Sequence, residues 1–458
     1  MINTNIVSFK KIDQYLYQII CLVVVAFFLL VNVFVNIFYN GDLFSLIIWF
    51  GFLWLIYIKD SRFLLKYCMV LIFHTFNIFG IYVCENFTIY LREIGVWSEP
   101  HGSLLLAVSS HIIFLYALWI FDLCFGEKLM VLLANAKKIN SKIVSIIGYG
   151  FLIILTISFI HALISPAFML GLDRFRYEAI YLQGFWNLLN RILKLSIPLI
   201  GMLWIYGLKR TAFVSLLLYL VYLFLIGNKF GPFLYVFYYL VPIFFVNTLT
   251  STQIKKILAS SCLIVFLLVG VVFFHNFITY GKNIQKNFSY LEQRIAQQGQ
   301  LWWATYYKYQ NDGFRTDELG DEFQTLFTLT LPNKNEWNHG IYKVMRNVTP
   351  QDIYDRKIAS GSRYASATLA SLYYYFKLPG LIIGNIVFAG MLCIIVSLYF
   401  GEMMAGNVFG SVLATSFMYR IYRCISQADY DVLFSFNSLV FLLLYFLMKI
   451  IIEKVSYK

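Results

Sequence analysis

The chain has 458 residues, of which 60% are hydrophobic and only 13% charged, and its mean hydropathy is +0.73. That composition excludes a soluble globule and makes lipid the solvent. The net charge of +13 lies largely in short connectors between apolar runs, where it is a topology signal rather than a nucleic-acid surface.

Lys10 and Lys11 precede a first apolar run of full spanning length with no small-residue cleavage site. That run is expected to be its own insertion signal. Continuous apolar stretches such as 22–35 lack the alternation of a barrel strand. Every backbone polar group in hydrocarbon needs an internal partner, so the expected fold class is all-α, a polytopic transmembrane helical bundle. At ~20 residues per span the runs predict about twelve spans, at 15–38, 43–58, 63–84, 103–125, 143–165, 192–208, 212–226, 233–249, 257–279, 378–400, 406–425 and 432–452.

Lys59, Arg62, Lys128, Lys137, Lys138, Lys142, Lys209, Arg210, Lys255, Lys256, Lys454 and Lys458 then share a face with Lys10 and Lys11. The positive-inside rule makes that face, and with it both termini, cytoplasmic. The whole chain, 1–458, reads as one membrane domain whose outer loops, 166–191 and 280–377, cap the bundle. The second loop mixes charges of both signs with many aromatics, which suits an ordered cap better than disordered chain. Within it, 286–310 is expected to be helical, and 362–376 an amphipathic helix running into the next span.

Nine cations break the charge rule and collect at the outer interface: Arg174, Arg176, Arg191, Lys194, Lys229, Arg294, Arg363, Arg420 and Arg423. Arg191 and Lys194 are three apart, as are Arg420 and Arg423, so each pair shares a helix face. Such charges at membrane depth are costly without a partner. Any one of them can snorkel to headgroups or pair with Asp173, Glu178, Asp429 or Asp431. As a set they point to a visiting anion, and the anion at hand is a lipid phosphate or diphosphate, which arginine grips with two parallel hydrogen bonds. Trp302, Trp303, Tyr306, Tyr307 and Tyr373 to Tyr375 suit sugar stacking and core packing equally.

Other chemistry finds little support. The seven cysteines lie in or beside apolar runs and none in the long outer loop, which argues against a disulfide framework or a CxxC site. His74, His111, His161 and His275 have no second ligand at helical spacing, so no metal centre is expected. No nucleophile elbow, zinc motif or phosphate-binding loop occurs. Lys66 and Asp122, inside spans, read as too few and scattered for a proton relay.

The stretches Leu172-Asp173-Arg174-Phe175-Arg176-Tyr177, Phe185-Trp186 with Arg191, Gly227-Asn228-Lys229-Phe230-Gly231-Pro232, Arg294-Ile295-Ala296-Gln297-Gln298-Gly299 with Trp302, and Gly361-Ser362-Arg363-Tyr364 together resemble a bacterial oligosaccharide repeat-unit polymerase of the Wzy type. The likeness lies in the whole-chain layout, a dozen spans with two arginine-bearing outer loops. It implies a fold similar to the second class of membrane glycosyltransferases. It also implies transfer of a growing glycan from one undecaprenyl-diphosphate carrier to a repeat unit on another, at the outer face of the plasma membrane, without cofactor, nucleotide sugar or metal. Membrane lipids, a chain-length regulator and a flippase are the implied partners, and nucleic acid is not one.

Under that resemblance Arg176, Arg294 and Arg363 are expected around the reacting diphosphate, where fixed guanidiniums stabilise the departing charge. Glu178 and His339 are the candidates for orienting or deprotonating the acceptor hydroxyl. Lys194, Arg420 and Arg423 are expected to bind a carrier at membrane depth, with Arg174, Arg191, Lys229, Trp302, Trp303 and Tyr364 completing the substrate site. An O-antigen-type ligase, a flippase or other transporter, and a non-catalytic assembly partner are the alternatives.

Overall fold

The computed structural model describes residues 4–38, 41–134, 141–167, 169–170, 172, 174–228, 230–246, 249–261, 270, 284–312, 340–359, 363–433 and 435–456. Among these residues the chain is helical almost throughout, with one two-residue hairpin pairing Tyr90–Leu91 with Val96–Trp97. Among the described residues six helices are long and apolar enough to cross a membrane: Asp13–Val35, Asp42–Lys59, Cys68–Asn86, Ser103–Leu133, Ser141–Ile164 and Ala367–Ala405. A seventh span arises if Phe185–Leu195 and Ile197–Ile205, bent by 44° at Ser196, count as one. The chain is thus a multi-pass membrane protein by its helices. Twelve spans are not reached on this measure. Gly231–Val246 and Phe436–Met448 are shorter apolar helices, and most of the expected span 257–279 lies outside the described residues.

The helix that starts at Ser103 owes its 31-residue length to a π-helical turn, Asp122–Gly126, that carries it into Glu127–Ala134. At Gly126 a Cβ would sit 2.2 Å from the Asp122 carboxylate, so only glycine leaves room for that acid. Leu16, Ile19, Val23, Phe27 and Leu30 on the Thr4–Phe38 helix are exposed, as side chains facing lipid should be.

The two ends of the bundle differ. At one end the connectors at 58–62 and 249–255 meet: Lys255 donates to the Ile58 carbonyl at 3.3 Å and Arg62 to that of Leu249 at 3.2 Å. The Gln14 amide reaches Asp60 at 3.2 Å, which places the start of the first helix toward this basic end. The opposite end carries the β-hairpin, Arg174–Tyr181 and the helices between Ile284 and Ala359. There the Glu85 carboxylate accepts from the backbone N–H groups of His101, at 2.6 Å, Gly102, at 3.0 Å, and Ser103, at 2.9 Å. That satisfies donors orphaned at the start of the Ser103–Phe121 helix.

The long polar segment is more than a cap. Helices Ile284–Ala296 and Gln300–Asp312 are joined by a turn that enters the bundle against Cys68–Asn86. Asn77 donates to the Gln298 carbonyl at 2.7 Å. A Cβ on Gly299 would lie 2.1 Å from the Ile81 nitrogen and one on Gly80 2.4 Å from the Gly299 nitrogen. Backbone meets backbone at that spot, so both positions require glycine. Asn77 stands nine residues from the helix end at Asn86, about 13 Å at 1.5 Å per residue, so the turn is buried well below the end of the bundle.

Ala367–Ala405 is likewise not one rod. Lys377 has φ 57° and ψ −145°, and the chain folds back there. A Cβ on Gly380 would fall 2.5 Å from the Leu372 carbonyl, and one on Gly384 2.6 Å from a Leu372 methyl. Residues twelve apart on a continuous helix are ~18 Å apart. The amphipathic helix expected at 362–376 therefore exists from Ala367, but doubles back against the span instead of running straight into it.

Candidate anion site and the chamber beneath it

The loop before Ala367–Ala405, the helix Val408–Gln427 and the turn after it bring three charges together. The Asp429 carboxylate, with no exposed side-chain surface, pairs through one oxygen with Arg363 and through the other with Arg423. Arg363 also donates its Nε–H to the Tyr342 hydroxyl at 2.7 Å and lies over that ring at 4.8 Å, while Arg423 lies over Tyr419 at 5.7 Å. Burial works against the Arg363 charge, but Asp429 and the Tyr342 hydroxyl outweigh it and raise its pKa. One carboxylate cannot neutralise two guanidiniums, so the trio keeps one positive charge.

One helical turn before Arg423, Arg420 adds a second. Its guanidinium is held by neutral acceptors, the Val432 carbonyl at 2.9 Å and the hydroxyls of Ser435 at 3.0 Å and Ser438 at 2.5 Å. Fixed guanidiniums with surplus charge, the pair on Asp429 still 16% and 31% exposed, are preorganised for a phosphate or diphosphate.

The backbone around this cluster is strained. Among the described residues the non-glycine residues with positive φ are Ser366, Lys377 and Ala428. Ser366 is three residues past Arg363 and Ala428 immediately precedes Asp429. A left-handed L-residue costs roughly 1–2 kcal/mol, and outliers of this kind collect where a structure positions functional groups.

Below the cluster is a cavity of about 20 Å³ whose polar lining is His74, Asn77, His111, Ser366, Asn385 and Ser426, with Thr368 beside them. The His74 and His111 rings are 4.1 Å apart. Asn77 uses its Nδ2 on the Gln298 carbonyl, so its Oδ1 faces His111 Nε2, at 2.7 Å. That nitrogen must carry the hydrogen. The inserted turn of the polar segment thus sets the His111 tautomer through Asn77. His74 Nε2 is buried with no hydrogen-bond partner among the described residues.

Of the nine outer cations, the structure gathers Arg363, Arg420 and Arg423. Arg174 and Arg176 lie on the short helix Arg174–Tyr181, with Arg176 exposed. Glu178, expected as a general base, accepts instead from Lys194 at 3.1 Å in a half-exposed pair. Arg191 donates to Asn187 at 3.1 Å. Arg294 donates to Tyr290 at 2.9 Å and Gln297 at 3.1 Å, on the helix leading into the inserted turn. Lys229 and His339 lie outside the described residues.

The expected sugar platforms are packed away. Trp302, Trp303 and Tyr364 are at most 1% exposed. The two indoles donate to the carbonyls of Ser103 at 3.0 Å and Glu99 at 2.9 Å, and Tyr364 to that of Glu93 at 2.6 Å. Core packing, one of the two readings open for the tryptophans, accounts for all three rings, because burial and a satisfied polar atom leave no free face.

Lys66 and Asp122, expected as scattered charges, are a buried ion pair at 2.5 Å. Ser397 at 2.9 Å and Tyr67 at 2.8 Å complete the network. Sequence reasoning also missed His74, Asn77 and His111 as a group, since His74 and Asn77, three apart on one helix, give no sign of His111 on the next. The one available signal was that three polar residues recur on the inner faces of two neighbouring spans.

Residues 334–442 match a family of unknown function (DUF6418). That match spans Arg363, Arg420, Arg423 and Asp429, so the DUF6418-like stretch is the one that holds the ionic cluster. No curated protein and no solved structure matches the chain.

Proposed function

We propose that this chain is an oligosaccharide repeat-unit polymerase of the bacterial plasma membrane, moving a growing glycan from one undecaprenyl-diphosphate carrier onto a repeat unit borne by a second at the outer face. The observation that carries this is the surplus positive charge of Arg363, Arg423 and Arg420 around buried Asp429. When a glycan leaves a diphosphate, negative charge develops on the leaving oxygen, and fixed guanidiniums in a water-poor site stabilise it with no reorganisation at the moment of reaction. The carboxylate holds two of the forks open. Lipid-facing spans on either side give a polyprenyl tail a place to lie.

The proposal includes about twelve crossings in the manner of the second class of membrane glycosyltransferase folds, with the basic end cytoplasmic, both termini there, and the arginine cluster outside. Reporter fusions within 300–359 are expected to be active only outside the cytoplasm. A fusion active only inside would remove the outer-face mechanism.

The reaction is proposed to need neither nucleotide sugar nor divalent metal. In proteoliposomes given two carrier-linked repeat units and a chelator, longer glycan should form at the uninhibited rate. Product that disappears with chelator and returns with a metal ion would contradict it. A transporter or flippase is the second reading, because the Ala367–Ala405 helix is broken at Lys377 and broken helices line transport sites. An O-antigen-type ligase differs in its acceptor alone.

A further inference from the structure

His74 lines the cavity beneath the arginines. His74 Nε2 is buried among Phe73, Phe114 and His111 and lacks a partner among the described residues. Buried polar atoms of that kind are rare and call for an explanation. Packing alone does not supply one: the neighbouring His111 is fixed by Asn77 at 2.7 Å and Asn385 by Ser110 at 2.5 Å, so the lining is otherwise matched.

The cavity also sits where a reacting group is needed. Two rim residues, Ser366 and Ser426, are each three residues from a member of the ionic cluster, the first from Arg363 and the second from both Arg423 and Asp429. Three residues of chain reach at most about 10 Å, so the cavity's rim and the anion site are within one or two sugar rings of each other. The rim at Phe73, Ser366 and Ser426 is partly exposed while the floor at His74 and His111 is closed. About 20 Å³ holds one water or one hydroxyl group and no pyranose ring. The shape therefore admits the tip of a saccharide whose body stands at the arginines.

We infer that this cavity is the seat of the acceptor's reacting hydroxyl and that His74 is its general base, a role resting on the polymerase reading above. In the step, the acceptor oxygen forms its bond to the donor's anomeric carbon as its proton passes to His74 Nε2. The bond from that carbon to the diphosphate oxygen breaks, and its electron pair leaves on the diphosphate, whose new charge Arg363 and Arg423 hold. The proton returns from His74 to bulk water after product leaves. His111, held by Asn77 and through it by the Gln298 carbonyl, packs against His74 with the rings tilted by 43° and limits its rotation. The inserted turn of the polar segment is thus a positioning device for the base.

The test has two arms on the full-length protein in proteoliposomes. In the first, His74→Gln should lower kcat by 10²–10⁴-fold, the usual contribution of a positioned base, leave KM for the carrier within a few-fold, and abolish the fall in rate at acid pH. His74→Ala should regain rate with added imidazole. In the second arm, deuterium exchange at the His74 ring C2–H, which needs only water, is followed by peptide mass spectrometry with no carrier, with bare undecaprenyl diphosphate, and with the saccharide-bearing carrier. Protection by the saccharide-bearing carrier alone is expected.

If wild type polymerises and His74→Gln keeps its rate and pH profile, the base assignment is wrong. If the saccharide gives no protection, or the C2–H never exchanges, the cavity is not the acceptor's seat. If protection is seen in a protein that never polymerises, the saccharide site stands and the polymerase reading is the part that fails.

Discussion

Replacing Arg363 by alanine is expected to reduce glycan polymerisation on the order of 10²-fold or more, comparable to removing one preorganised oxyanion donor. Lysine should rescue poorly, because it offers a point charge where the guanidinium offers two parallel donors. Asp429 still has Arg423 in the alanine variant, so the protein should insert and accumulate, which a detergent size profile checks. Arg423→Ala should behave alike. Arg92, exposed in the hairpin loop between Leu91 and Val96, is the control and should accept alanine with normal product length. Product from Arg363→Ala that matches Arg92→Ala in length and rate would make the cluster a structural or headgroup anchor.

Asp122→Ala is expected to have the largest effect on stability. It strands the Lys66 ammonium, whose side chain is only 3% exposed, among apolar spans, and breaking a buried pair from one side costs about 3–5 kcal/mol. The Ser397 and Tyr67 hydroxyls remain nearby but carry no charge. The variant should accumulate poorly and unfold at lower temperature in detergent. The double variant Lys66→Met with Asp122→Leu should recover most of the loss, since well-packed apolar replacements of buried pairs are often neutral. A single alanine variant with unchanged Tm would show that water reaches Lys66.

The bundle was legible because hydrocarbon imposes a single rule on the backbone, and runs of apolar residues report it directly. The same signal fails for short and interrupted helices. The span expected at 192–208 starts inside Phe185–Leu195, most of which read as outer loop, and the chain bends at Ser196 before Ile197–Ile205. The fold-back at Lys377 had a signal in Pro379-Gly380 just after it, a turn dipeptide hidden at the start of an apolar run, with space provided by Gly380 and Gly384. Arg363, Arg420 and Arg423 stood out in the sequence because each violates the charge rule.

What joins them was harder to see. Asp429 was one of four acids available as a partner, and only tertiary structure selects among them. His111 has only apolar neighbours at i+3 and i+4, and His74 has only the Asn77 amide at i+3, so neither announces the other. Trp302 and Trp303 show the reverse failure. An aromatic pair in a polar loop resembles a sugar platform until the loop is found packed around Ser103 and Glu99.

The most direct test of the account follows one turnover with two distinguishable carriers. A donor with deuterated lipid and ¹³C-labelled sugar is mixed with an unlabelled carrier-linked repeat unit in proteoliposomes, and the lipids are resolved by mass spectrometry. The account predicts ¹³C sugar joined to unlabelled sugar on the unlabelled carrier, with one deuterated undecaprenyl diphosphate released per bond formed, and neither product in Arg363→Ala. Labelled sugar that crosses the bilayer still attached to its deuterated carrier, with no diphosphate released, would contradict it.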